Sequence, residues 1–369
     1  MKAEYTKKER YELWLGFVLG PGSKRYFRLL ALFDDDAHAV FEAAGKRDLP
    51  EECGLKEAFI EKIYASANER YISACFKRLA ELDISAAAFS SREYPKLLKE
   101  IYDPPSVLYY RGVLEPQPAL PIGVVGSRAP SEYGRHMAAE FSAALAQSGA
   151  CVVSGLAYGV DCIAALGALS AKDNPYPTIA VLGCGVDVVY PPANRDVYEQ
   201  IVERGAVVSE FLPGTQAFAS NFPMRNRIIS GLSRGVLVVE AAEKSGTLIT
   251  VDCALEQGRD VFALPGRVTD PKSYGTKTLL RDGHGKLVLN VEDILEEYGG
   301  SSRVKAVSVP EQTLTPEQAR IRHVLADGEK SFDELCELTG LSVPLLNSAL
   351  TEMEFSGIIK QSPGRVYSL

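Results

Sequence analysis

Ile122-Gly123-Val124-Val125-Gly126-Ser127-Arg128, followed by Ala129-Pro130-Ser131 and the helical stretch Tyr133–Gln147, decides the fold. A short apolar run without polar alternation is a strand buried on both faces. A turn of small residues leads from it directly into a helix. The next apolar run, Cys151–Ser154, completes a strand–helix–strand unit. The pattern recurs along the chain. Strands are expected at Val107–Tyr110, Ile179–Leu182, Val207–Ser209, Val236–Val239, Val261–Ala263 and Leu287–Leu289. Helices are expected at Arg195–Glu203, Arg225–Leu232 and Leu248–Gln257. Such alternation predicts an α/β fold with a mostly parallel, Rossmann-like sheet, occupying residues 106–298. Open parallel sheets bind ligands beyond the carboxyl ends of their strands, so the residues just after each strand are the ones to inspect.

Outward from that core the pattern changes on both sides. Residues 1–105 read as a small helical domain with a connector. Helical spacing of apolar residues runs through Tyr11–Leu19, Lys24–Leu32, Ala37–Ala44, Leu55–Ile63 and Asn68–Leu82. Residues 299–314, opening on Gly-Gly-Ser-Ser, read as a linker. A last domain, 315–369, opens on Thr315-Pro316-Glu317-Gln318, a capping box with Pro at the first helical position. Ser331 and Glu334 repeat the box. Ile358–Gln361, a turn at Ser362-Pro363-Gly364 and Val366–Ser368 form a hairpin. Three helices and a hairpin describe a winged helix.

Composition narrows the function. The 369 residues are 46% hydrophobic and 24% charged, ordinary for a globular protein with a real core. No apolar run reaches the ~18 residues of a membrane span, and the polar start lacks a signal peptide's apolar core. A cytoplasmic protein without membrane contact is expected. The seven cysteines are scattered with no C-x-x-C pair, and the four histidines are dispersed, so neither a disulfide framework nor a metal site is expected. The net charge of −8 is unusual for a nucleic-acid binder. Yet Phe211 to Val239 contains no Asp or Glu while carrying Arg225, Arg227 and Arg234. The net charge is therefore compatible with a cationic face on an acidic body.

Four turns carry the candidate chemistry. Gly126-Ser127-Arg128 offers backbone N–H groups at a helix start and a guanidinium fork, a combination suited to phosphate. It is not a G-x-G-x-x-G fingerprint, and no dinucleotide or other cofactor follows from it. In Ser154-Gly155-Leu156-Ala157-Tyr158-Gly159-Val160-Asp161, Gly155 permits close backbone approach, Tyr158 is a candidate to stack on a base, and Asp161 is expected to order the loop. Asn221-Phe222-Pro223-Met224-Arg225-Asn226-Arg227 places an aromatic ring, an amide and two guanidiniums at one helix mouth, which suits phosphates and a stacked base. Ser245-Gly246-Thr247, ahead of the Leu248 helix, makes a second anion cradle of hydroxyls and N–H groups, or simply an N-cap.

These stretches, together with Tyr190-Pro191-Pro192-Ala193-Asn194 and the run Arg225-Asn226-Arg227-Ile228-Ile229-Ser230-Gly231-Leu232-Ser233, resemble in order and spacing the core of the DNA-processing protein A family, DprA or Smf. The resemblance extends to the helical front, similar to that family's sterile-alpha-motif or helix-hairpin-helix-like domain, and to the winged-helix tail. It implies a non-enzymatic, single-stranded DNA-binding recombination mediator. Such a protein forms a homodimer through the core and loads the RecA recombinase onto incoming strands during natural transformation. This chain departs from the family where Ala165 replaces a common His four residues after Asp161. It departs again at Gly275-Thr276-Lys277, where Lys277 is a candidate phosphate contact.

Two other readings compete. The core also resembles the lysine-decarboxylase-like phosphoribohydrolases, but Leu248, Ile249 and Thr250 stand where their catalytic Glu would follow Gly246-Thr247. A transcription regulator would use the winged helix on duplex DNA, but Glu311 to Leu369 holds nine Asp or Glu against five Lys or Arg. A regulatory or protein-contact role suits that tail better.

Overall fold

A computed structural model describes residues 5–299 and 315–368, apart from 327, 356, 357 and 363. From residue 300 onward the expected linker lies outside the described residues, as does Pro363 of the expected tail turn. The chain divides into two units, Met1–Ser302 and Arg303–Leu369.

In the first unit, five helices come first: α1 (Lys7–Leu19), α2 (Ser23–Ala31), α3 (Ala37–Gly45), α4 (Glu57–Ser66) and α5 (Glu69–Glu81). Thr6 caps α1 through a capping box with Glu9, and Asn68 caps α5. Their aromatic core centres on Trp14, fully buried, whose Nε1 donates to the Ser66 carbonyl at 3.0 Å.

The sheet starts earlier than expected. Ser85–Ala88 forms β1, pairing antiparallel with β2 (Val107–Gly112), with the short α6 (Lys96–Lys99) between them. Ser-Ala-Ala-Ala has no β-branched or aromatic signature, and Ala favours helix. Three of its four residues are buried, so tertiary pairing overrides propensity. The last of the five helices ends at Glu81, close to the Leu82 expected, and the stretch expected as a connector to 105 contains β1 and α6. Leu13 and Phe17 of α1 share a cluster with Ala86, Val107, Tyr109 and Val207, which joins the helical front directly to the sheet.

The remaining elements are β3 (Pro121–Val125), α7 (Glu132–Gln147), β4 (Cys151–Ser154), α8 (Val160–Leu169), β5 (Thr178–Val181), α9 (Arg195–Arg204), β6 (Ala206–Ser209), α10 (Asn221–Gly231), β7 (Gly235–Val238), α11 (Thr247–Glu256), β8 (Asp260–Ala263), α12 (Tyr274–Arg281), β9 (Lys286–Leu287) and α13 (Glu292–Glu297). They bear out the mostly parallel Rossmann-like α/β core. The nine strands are ordered β1-β2-β6-β5-β4-β3-β7-β8-β9, parallel from β6 through β9. Within this sheet, only β2's pairings with β1 and β6 are antiparallel. Side chains alternate between the two faces: Val125, Val153, Val181, Val208 and Val236 pack under Ile228 and Val251, while Val124, Val152 and Leu237 pack under Phe141 and Leu145. The chain winds outward through β4, β5 and β6, then returns to β7 on the other side of β3. This reversal makes β3/β7 the topological switch point, where the helices after the two strands leave a crevice.

The second unit contains α14 (Pro316–Leu325), β10 (Lys330–Ser331), α15 (Phe332–Thr339), α16 (Val343–Phe355), β11 (Lys360–Ser362) and β12 (Val366–Ser368). Both expected capping boxes are present, and Gly340 closes α15 in the left-handed region. The hairpin gains β10 as a third strand, giving the order β10-β12-β11 around a core of Leu335, Leu346 and Met353. The helix that a winged helix offers to DNA, α16, contains no Lys or Arg. It exposes Val343 and Leu345 alongside Glu352 and Glu354.

Candidate functional site

Four turns at the carboxyl ends of the strands converge on one open cleft of about 720 Å³. Gly126, Ser127 and Arg128 follow β3; Ala157 comes from the β4–α8 loop and Asp161 from the first turn of α8; Phe222, Pro223, Arg225 and Asn226 lie on α10; Ser245, Gly246, Thr247 and Thr250 open α11. Tyr190, in the turn after β5, adds a second ring. An adjoining notch brings in Gly155 and Tyr158 against Arg128, Tyr190 and Phe222. Asn221, Arg227 and Lys277 line neither. Among the described residues the lining holds two arginines and one carboxylate; of the acid-free stretch's three arginines only Arg225 is among them.

The one carboxylate is committed to the backbone. Asp161 Oδ2 accepts the N–H groups of Gly155 at 3.1 Å and Ala157 at 3.4 Å, which orders the loop as expected of it. Leu156, between them, is fully buried and left-handed at φ 54°. Such a residue costs about 1–3 kcal/mol and persists only where its surroundings over-determine it. Asn194 completes the hold, donating from Nδ2 to the Leu156 carbonyl at 2.9 Å.

The helix mouth differs from its expectation in two ways. First, α10 begins at Asn221 and not at Arg225, so Phe222 lies inside its first turn. Second, neither arginine of the Arg-Asn-Arg run stands free. Arg225 is 3% exposed, and its Nη1 donates to the carbonyls of Gly155, at 2.6 Å, and Val181. Gly155 is therefore required less for a ligand's approach than for this one: a Cβ there would collide with the Arg225 guanidinium. Burial pushes the Asp161 carboxyl up and the Arg225 guanidinium down, and each charge opposes the shift of the other. Arg225 is the buried floor of the cleft, presenting little of itself to a ligand. Arg227 points to the opposite side of the helix, 8% exposed, bonded to Glu210 at 2.6 Å and Asp103 at 3.1 Å. The carboxylates absent from the neighbouring sequence are supplied from distant segments. Asn221 is likewise structural, donating from Nδ2 to the Gly183 carbonyl at 2.9 Å. Lys277 donates to the carbonyls of Arg267 and Asp270 at 3.0 and 3.2 Å, tying a loop outside the cleft.

Arg128 is the exposed cation of the site and forms no salt bridge among the described residues. Its guanidinium lies 5.5 Å from the Phe222 ring centroid, and the Tyr190 ring lies 5.6 Å from that centroid at 39°. Tyr158 is 50% exposed at the notch. One cation and three aromatic rings thus share one wall. At the start of α11 the Ser245 hydroxyl donates to Thr247 Oγ1 at 2.9 Å and accepts the Thr247 N–H at 3.2 Å. No acidic residue occupies the first turn of α11.

The helix start behind Gly126-Ser127-Arg128 is not vacant. Ser131 caps α7, and Glu240, at the end of β7, accepts the Ser131 N–H at 2.9 Å through Oε2 and the Ser131 hydroxyl through Oε1. Glu240 is fully buried. No local pattern in the sequence marks this carboxylate or the place of Tyr190 in the wall. Both depend on pairings between segments far apart in the chain.

Among the described residues no cluster of His, Cys, Asp or Glu is arranged for a metal, and no helix is long and apolar enough to cross a membrane. Comparison with known proteins gives a consistent result. The family described as DNA recombination-mediator protein A matches residues 85–299, beginning at the first residue of β1, and the DprA winged helix domain matches residues 306–365. Protein Smf of Escherichia coli is 39% identical over 282 residues, 74% of this chain and 74% of the relative. DNA processing protein DprA of Streptococcus pneumoniae is 40% identical over 246 residues, 67% of this chain and 83% of the relative. The crystal structure of the S. pneumoniae protein superposes with a TM-score of 0.68 at 34% identity, covering 80% of this chain and 99% of that one. DNA processing protein A of Helicobacter pylori, whose structure was described for its single-stranded DNA binding mode, gives 0.52 at 29% identity, covering 58% and 95%.

Proposed function

We propose, from the premise that this chain belongs to the DNA recombination-mediator protein A family, that it holds single-stranded DNA in the cleft at the carboxyl ends of its strands. It protects incoming strands there and loads the RecA recombinase onto them during natural transformation. It works in the cytoplasm as a homodimer formed through the sheet domain, with no catalytic cycle of its own. The observation that carries this reading is the wall of Arg128, Phe222, Tyr190 and Tyr158. A cation beside several accessible rings suits a flexible strand, whose bases can turn out to stack while a phosphate meets the guanidinium. A duplex keeps its bases inside. Ser127, Asn226 and the hydroxyls of Ser245 and Thr247 supply further polar contacts along the strand's path, over the floor formed by Arg225 and Gly155. A binding role also fits the one lining carboxylate, because Asp161 is spent on the backbone and is not poised for acid–base work. The winged helix serves regulation or protein contact.

A mobility-shift comparison tests the reading. Oligo(dT) should bind far more tightly than a duplex of equal length, with affinity falling steeply as salt rises. Equal affinity for the two would remove the ground for it. The finer claim is tested by RecA filament assembly on strands coated with single-strand binding protein. The chain should accelerate assembly, and no acceleration would confine the proposal to strand binding.

A further inference from the structure

In open α/β sheets the crevice at the switch point is the usual seat of a ligand phosphate, received by the N-terminus of the helix that follows the first strand. Here that helix is α7, sixteen residues long, and the crevice is filled by the chain itself. Glu240 enters from the other side of the switch, at the end of β7, and spends both carboxylate oxygens on Ser131, the cap of α7. Gly134, in the first turn of α7, makes room for it: a Cβ at that position would lie 2.5 Å from the carboxylate. The carboxylate is fully buried and already carries the charge that the helix end attracts. A phosphate dianion brought to the same place would meet both a steric block and a like charge at hydrogen-bond range. The open cleft is lined by residues close in the chain to both partners of this contact, Arg128 three residues before Ser131 and Ala242 two residues after Glu240.

We propose that Glu240 is a specificity-determining residue: its carboxylate occupies the phosphate position of the switch-point crevice and keeps free nucleoside phosphates out, which leaves the neighbouring cleft to extended strands. A single strand needs no deep phosphate seat, because it is held along its length by several shallow contacts. A mononucleotide has one terminal phosphate and depends on such a seat. The inference rests on reading the cleft as a strand-binding site, and it adds the reason that abundant small nucleotides do not compete there.

The test uses the full-length protein, adenosine 5′-monophosphate as probe and calorimetry without DNA. Wild type should give no measurable heat. Glu240→Ser, which removes both bulk and charge, should bind the nucleotide at least about ten-fold more tightly than wild type, the worth of one regained charge-assisted contact. The nucleotide should then displace oligo(dT) from the variant and not from wild type. A folded Glu240→Ser protein with wild-type nucleotide affinity overturns the proposal. So does a wild-type protein from which the nucleotide displaces oligo(dT). Should Glu240→Ser fail to fold, Glu240→Gln keeps the bulk and removes the charge. It should show a smaller gain in nucleotide affinity, and no gain would count against the proposal. Failure of oligo(dT) to bind wild type is a separate result: it would sink strand binding while leaving the nucleotide comparison intact.

Discussion

Helix α10 opens on Asn221-Phe222-Pro223 at a cleft whose cations outnumber its carboxylates, whereas α16, in the place of a winged helix's recognition helix, offers Glu352 and Glu354 and no Lys or Arg. Fold alone would place a DNA contact on α16; the side chains favour the proposed contact in the cleft that Arg128 and Phe222 line. Duplex DNA carries about one negative charge per 1.7 Å of axis, so the two carboxylates near the end of α16 meet repulsion that no cation on that helix offsets. A fold supplies a position, and the side chains at that position decide what is bound there. The same contrast operates within α10. Arg225 and Arg227 are two residues apart, yet one floors the cleft and the other anchors the helix from behind. Only Arg128, from another turn, faces outward as a cation of the cleft.

That contrast can be broken most visibly through the two buried arginines. Arg225→Ala strands Asp161 without its compensating charge and leaves two carbonyls unpaired. Arg227→Ala does the same to the charge of Glu210. Each should lower unfolding free energy by roughly 3–5 kcal/mol, read from urea denaturation. An Arg225→Ala protein of undiminished stability that had lost its DNA would return Arg225 to the role of a ligand contact. Next in size, Phe222→Ala should cost about 1–3 kcal/mol of oligo(dT) binding through lost stacking, measured by fluorescence anisotropy. Its ring is only half-buried, so most of the stability should remain. Smallest of all is the effect of removing residues 315–369. Strand affinity should change by less than about three-fold, under 1 kcal/mol. If that deletion abolished binding, α16 would be the contact and the comparison would reverse.

Much of this arrangement was legible in the sequence, for physical reasons that also mark where legibility ends. Strands such as Cys151–Ser154 announce themselves because burial on both faces demands unbroken apolar residues. The boxes at Thr315 and Ser331 do so because capping is local. The strand Ser85–Ala88 does not, since its conformation comes from pairing with β2 and not from its own residues. The site divides in the same way. Which turns carry the candidate residues follows from their positions after strands, and nine of the fourteen lie in one cleft, with Gly155 and Tyr158 in its notch. Which arginine faces outward does not follow. Arg227 is neutralised by Glu210 and Asp103, and α7 is plugged by Glu240, through contacts that a window of neighbouring residues never contains.

The central claim, that this cleft binds single strands through its exposed cation, is tested most directly by titrating oligo(dT) against wild type and Arg128→Ala over a series of salt concentrations. Arg128 is exposed and forms no salt bridge among the described residues, so the variant should keep its stability within about 0.5 kcal/mol. It should lose about 1.5–3 kcal/mol of binding, on the order of ten- to a hundred-fold. The slope of log affinity against log salt should become shallower by roughly one phosphate contact. An Arg128→Ala protein that binds oligo(dT) with wild-type affinity and an unchanged salt slope would contradict the account.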